Sequence, residues 1–155
     1  MNMRRFFENV GVNVMSAGAW PSAATNQGWI SLSQSHRIAF IAILNTLGVD
    51  GTVSLEVWQA KNAAGLDAKV INDGDGVCAI NNTQLVNAAG GLGWVGIDLE
   101  ASRLDINNGY AFVTLRPSEA ATGALVGTFI AILHAQHVMP VVQESQCKGI
   151  LFYDG

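Results

Sequence analysis

The chain has 155 residues, half of them apolar and 13% charged, with a net charge of −4. That length suits one domain with a substantial core, and the acidic balance with scattered Lys and Arg excludes a basic nucleic-acid stripe. Its longest apolar runs, such as Ile38 to Leu44 and Phe129 to Leu133, fall short of the roughly 20 residues that span a bilayer.

Charged residues are far below the roughly one quarter usual in soluble proteins, so much of the surface is expected to be covered by partners. Residues 1 to 27, rich in Asn, Ala, Ser and Gly, read as an N-terminal arm. Arg4 and Arg5 are followed by Glu8, Asn9 and Asn13, which break the apolar stretch of a secretory signal, and synthesis in a cytoplasm is expected. His36 to Leu44 alternates two apolar sets, Ile38, Phe40, Ala42 and Leu44 against Ala39, Ile41 and Ile43, as in a strand covered on both faces. After the turn at Gly48 to Gly51, Val53, Leu55 and Val57 alternate with Ser54 and Glu56 in a half-buried strand.

Glycines with many Asn and Asp divide the middle of the chain into short pieces, with strands expected at Lys69 to Asn72, Val77 to Ile80 and Gly93 to Leu99. Asn108-Gly109 is a strong hairpin-turn dipeptide, leading into Tyr110 to Arg116, halted by Pro117. Leu125 to His134 follows, and the two segments are expected to pair as a C-terminal hairpin. Residues 138 to 155 read as a second arm ending in the apolar cluster Ile150-Leu151-Phe152-Tyr153, which is expected to dock. Seven or eight strands at this spacing make an all-β chain, a single-domain β-sandwich or jelly-roll-like fold over 28–137, flanked by arms 1–27 and 138–155.

No catalytic, cofactor-binding or metal-binding set emerges. Asp73 and Asp75 resemble the start of a calcium loop, but Gln84 stands where an EF-hand needs Glu, and an Asx-type turn accounts for them. His134 and His137 are three apart, so in a strand they point to opposite sides. Serines lack a G-x-S-x-G elbow, and the glycine clusters lack both the dinucleotide fingerprint and a Walker lysine. Cys78 and Cys147 have no ligand or redox spacing. Trp58 and Trp94 can be read as a sugar-stacking platform, though core or interface packing is the commoner use of such rings.

Val53 to Gly65 carries a strand of alternating valines ending in Gln59-Ala60-Lys61-Asn62-Ala63-Ala64-Gly65; Gly109-Tyr110-Ala111-Phe112-Val113 and Gly127 to Leu133 follow. This pattern, over about residues 30 to 134, resembles small virion structural proteins of tailed bacteriophages. The resemblance implies a non-enzymatic β-sandwich subunit that decorates the head or joins the neck and collar, in many copies. On that reading its partners are copies of itself and other virion proteins, such as major capsid or neck proteins. No cofactor, nucleic acid or membrane is involved, and it resides in the virion after synthesis in the host cytoplasm. Expected contact residues are Phe6, Phe7, Trp20, Ile150, Leu151, Phe152 and Tyr153. The alternative is a carbohydrate- or receptor-binding sandwich module of a fibre or other appendage, using Trp58 or Trp94. A small enzyme is the third reading, and no spaced acid, base or nucleophile supports it.

Overall fold

A computed structural model describes residues 10–21, 23–46, 52–72, 77–84, 93–120 and 126–136. Within them lie strands β1 (Val10–Ala19), β2 (Ile30–Ser31), β3 (Ser35–Thr46), β4 (Thr52–Ala60), β5 (Lys69–Val70), β6 (Ala79–Gln84), β7 (Gly93–Glu100), β8 (Phe112–Ala120) and β9 (Val126–Gln136). Two 3₁₀ turns, η1 (Ala101–Arg103) and η2 (Ile106–Asn108), join β7 to β8. The first sheet has the order β1-β9-β3-β7, and the second β2-β8-β4, with β5 and β6 both on the far edge of β4. Every named strand pair is antiparallel.

Period-two alternation turns one set of side chains from each sheet inward. Ile38, Phe40 and Ala42 of β3, Phe129, Ala131 and Leu133 of β9, and Val95 and Leu99 of β7 meet Val53, Leu55 and Val57 of β4 and Val113 and Leu115 of β8 in one buried cluster. This is a β-sandwich, as expected. Since β5 and β6 lie in one direction along one edge of β4, they count as a single interrupted strand. The chain then visits the sheets in the order first, second, first, second, second, first, second, first, the eight-position path of a jelly roll.

That path corrects three expectations. Segments β8 and β9 do not form a hairpin, because β8 pairs with β4 and β2 while β9 pairs with β1 and β3; the link between them crosses from sheet to sheet. Asn108-Gly109 makes no hairpin turn either. Gly109, at φ +83°, caps η2 in the left-handed region, where glycine carries no Cβ penalty. Pro117 does not halt β8, which runs on to Ala120. Its neighbours Leu115 and Glu119 hydrogen-bond to Gln27 and Pro21, so the missing N–H of Pro117 faces the same side as those bonds, and no bond to β4 is lost.

The N-terminal region also differs from a free arm. Residues 10–19 form the edge strand β1 along β9. Trp20 then turns into the core, 3% exposed, with its ring edge-on to Phe129 at 4.7 Å between centroids. Gly127 makes room for it: a Cβ there would lie 2.9 Å from the Ile43 carbonyl and 3.0 Å from the indole. Exchange of Gly127 for alanine forces one of these apart. Gly127→Ala is expected to lower stability by about 1–3 kcal/mol, measured as a shift in the urea midpoint with an unchanged slope.

One corner is tied by polar contacts. The Asn62 side chain accepts hydrogen bonds from the backbone N–H groups of Ala64 and Leu66, and Gly65, at φ +82°, sits against the Trp29 indole, where a Cβ would come within 2.7 Å. Lys61 pairs with Asp67 at 2.8 Å and Lys69 with Asp105 at 2.6 Å, and the Lys69 ammonium stands 4.3 Å from the centre of the Tyr110 ring. Buried Gln59 accepts the backbone N–H of Asp105. The hydrogen bond from Lys69, with a second from Asn108, holds the Asp105 carboxyl below the usual carboxylate range. A carboxylate depressed on folding adds stability above its unfolded pKa and loses it as pH falls through the folded value. Acid titration of the melting temperature should therefore show a decline below about pH 4 that is shallower in Lys69→Met.

Candidate protein-contact face

The strand register of the first sheet fixes which side chains share its outer face, because directly paired residues point the same way. The first rung is Trp94, Ile43, Thr128 and Ala17 across β7, β3, β9 and β1; the second is Gly96, Ile41, Ile130 and Val14. The third is Asp98, Ala39, Ile132 and Val12, and the fourth Glu100, Arg37, His134 and Val10. The first two rungs are apolar apart from Thr128, the third is apolar apart from Asp98 at its β7 end, and the fourth is charged, with Arg37 bonded to Asp98 of the third rung at 2.8 Å and to Glu100 at 3.4 Å.

Trp94 stands out at 70% exposed, with Val14 at 39%. Its ring leans over Gly96, where a Cβ would come 3.4 Å from the indole; an aromatic covering an edge glycine is a recognised way to steady such a strand. Ile41, Ile43, Gly93 and Trp94 border a shallow depression of about 250 Å³. The second sheet is the opposite case. Ser54, Glu56, Trp58, Thr114, Arg116 and Ser118 make its outer face, polar apart from one tryptophan. The side of β8 away from β4 is taken by β2 and by backbone hydrogen bonds from Gln27 to Leu115, from Leu32 to Ala111 and from Glu119 to Pro21.

This contrast bears on the tryptophans. The ring of Trp58 is already taken, with the Arg116 guanidinium 3.9 Å from its centre and its indole N–H donated to Glu56 at 2.9 Å, so it offers no open platform. Trp94 is open, but a sugar needs polar side chains around the ring to meet its hydroxyls, and the depression beside Trp94 is lined by Ile41, Ile43 and Gly93. An apolar protein surface suits this lining better.

Of the expected contact residues, Trp20 packs in the core. Phe6, Phe7, Ile150, Leu151, Phe152 and Tyr153 lie outside the described residues, as do Asp73, Asp75, His137 and Cys147. Among the described residues no group of three or more His, Cys, Asp or Glu side chains is placed to hold a metal ion, and no helix is long and apolar enough to cross a membrane. Burial pushes the Cys78 thiol pKa up, away from the reactive thiolate. The outer-face residues Val12, Val14, Ile41, Ile43, Ile130 and Ile132 are absent from the expected contacts. Their signal is the doubled apolar alternation of β3 and β9, which reads equally well as burial on both sides.

No family model and no curated protein matches the chain. Among solved structures it is similar to chains of infectious bursal disease virus. For the Gx strain the identity is 10% and the TM-score 0.47, covering 84% of this chain and 33% of that one; for the Gt strain they are 8% and 0.48, covering 84% and 34%. For the T13 particle of the same virus they are 10% and 0.49, covering 81% and 31%. The chain spans about a third of the length of these chains.

Proposed function

We propose that the protein is a non-enzymatic structural subunit of a virion, packing against copies of itself and other virion proteins through the outer face of its first sheet. The observation that carries this reading is that face: three successive rungs, apolar apart from Thr128 and Asp98, with Trp94 and Val14 open to solvent, on a chain with few charges. The largest apolar patch on a protein, commonly about 300–600 Å², is often functional, which makes this face the candidate contact site. Jelly rolls also serve lectins and cupins, so the fold by itself does not decide the function.

Four strands about 4.8 Å apart and three rungs about 6.8 Å apart give a patch on the order of 400 Å². A standard interface takes about 800 Å² from each partner. The face is therefore the centre of a contact whose remainder comes from other surfaces, and the arm residues Phe6, Phe7, Ile150, Leu151, Phe152 and Tyr153 are our candidates for it. The finer assignment, head decoration or a neck and collar position on a tailed phage, draws on the turn and strand motifs around Gln59 to Gly65 and Gly109 to Val113.

Native mass by light scattering tests this reading. An oligomer is expected, and Ile41→Lys is expected to weaken it at least tenfold, about 1.4 kcal/mol, with little change in melting temperature, because Ile41 points away from the core. A monomer that fails to join any assembly, or an oligomer indifferent to Ile41→Lys, overturns it. Deleting 148–155 should weaken assembly while leaving the domain folded. Should Trp94 fluorescence instead shift on glycan titration while the mass stays monomeric, the appendage-binding alternative takes its place.

A further inference from the structure

Across the face of the first sheet, large side chains on one half stand level with small ones on the other. Trp94 at the β7 edge, 70% exposed, shares its rung with exposed Ala17 at the β1 edge. One rung on, Gly96 of β7 is level with Val14 of β1, and in the third rung Ala39 of β3 lies beside Ile132 of β9. Resting on the proposal above that this face is a contact, we propose that its occupant is a second copy of the chain, docked face to face about a twofold axis that runs along the strands.

A twofold contact is self-complementary: where one residue meets another, the second meets the first in return. An axis along the strands sets each rung opposite the same rung, with β7 over the partner's β1 and β3 over the partner's β9. Trp94 then meets Ala17 of the partner, Val14 meets Gly96, Ile132 meets Ala39 and Ile41 meets Ile130, so that large side chains enter the room left by small ones, as packed layers require. In the fourth rung Arg37 faces His134 of the partner, but its charge is already met within its own chain by Asp98 and Glu100, so no unpaired cation is buried. An axis across the strands reverses the rungs instead. It sets Trp94 on Glu100 and Ile43 on Arg37 or, after a slide of one rung, Trp94 on Asp98 and Gly96 on Gly96; the first presses charges against apolar groups and the second sets two glycines opposite each other. With all four rungs the face measures about 500 Å², so two copies bury about 1,000 Å², the threshold of a specific contact.

A size swap tests the arrangement, read as the dissociation constant from light scattering of the full chain over a concentration series. Trp94→Ala, which empties the contact, and Ala17→Trp, which overfills it against Trp94 of the partner, should each weaken association at least tenfold. The double variant Trp94→Ala/Ala17→Trp carries the ring to the opposite edge and should return to within about threefold of the unchanged chain. Melting temperatures should stay in place, because both positions are exposed. In a Cys78→Ala/Cys147→Ala background, a mixture of Ala17→Cys and Trp94→Cys chains should form the mixed disulfide, and Val14→Cys should not link to itself. Failure of the double variant to recover, or self-linking of Val14→Cys, overturns the axis along the strands. A monomer that joins an assembly through Ile41 overturns the second copy as occupant. In each of these cases the face remains a contact as long as Ile41→Lys weakens association; that reading falls only by the native mass and Ile41→Lys.

Discussion

Registration of the inner side chains of β3 and β9 against those of β4 and β8 is the constraint on which the rest depends. Ile38, Phe40, Phe129 and Leu133 from one sheet and Leu55, Val57, Val113 and Leu115 from the other are buried together, and shifting any of these strands by one residue would turn its apolar set outward. The fit is tight enough that glycine is needed at position 127, where the Trp20 ring and the Ile43 carbonyl leave no space for a Cβ. Trp20 thereby locks the end of β1 to β9, and with it the edge of the first sheet.

The same registration sets the outer faces. Having fixed Phe40 and Ala42 inward, it fixes Ala39, Ile41 and Ile43 outward, and likewise Ile130 and Ile132 of β9. On the second sheet the outward set is Ser54, Glu56 and Trp58 on β4, where Glu56 accepts the Trp58 indole N–H and Arg116 stacks on the Trp58 ring. One sheet is therefore finished as a surface and the other is not. That asymmetry, more than any single residue, is what the proposal of a contact face rests on.

The antiparallel pairing of β1 with β9 sets Val10 opposite His134, so the start of β1 and the end of β9 lie at one end of the first sheet, where Arg37 pairs with Asp98 and Glu100. The 3₁₀ turn η1, which follows Glu100, lies at that end too. The opposite end of the face carries Trp94.

Much of this was legible from the residues alone. Alternation of Val53, Leu55 and Val57 with polar neighbours located β4, and the doubled alternation of His36 to Leu44 located β3. The Asn62-to-Gly65 turn was legible because its chemistry is local: an Asn side chain bonding the next N–H groups and a glycine at positive φ. The strand cores near Gly93 and Leu125 and the all-β sandwich class followed from the same period of two. What lay beyond reach was every choice between distant partners. Whether β8 pairs with β9 or with β4, whether Asn108-Gly109 closes a hairpin or caps η2, and whether Trp20 lies in an arm or in the core depend on contacts far apart in the chain. Period two states which residues share a face and leaves open which face another sheet covers; that was settled when the two sheets closed on each other and left Ile41, Ile43 and Trp94 outside.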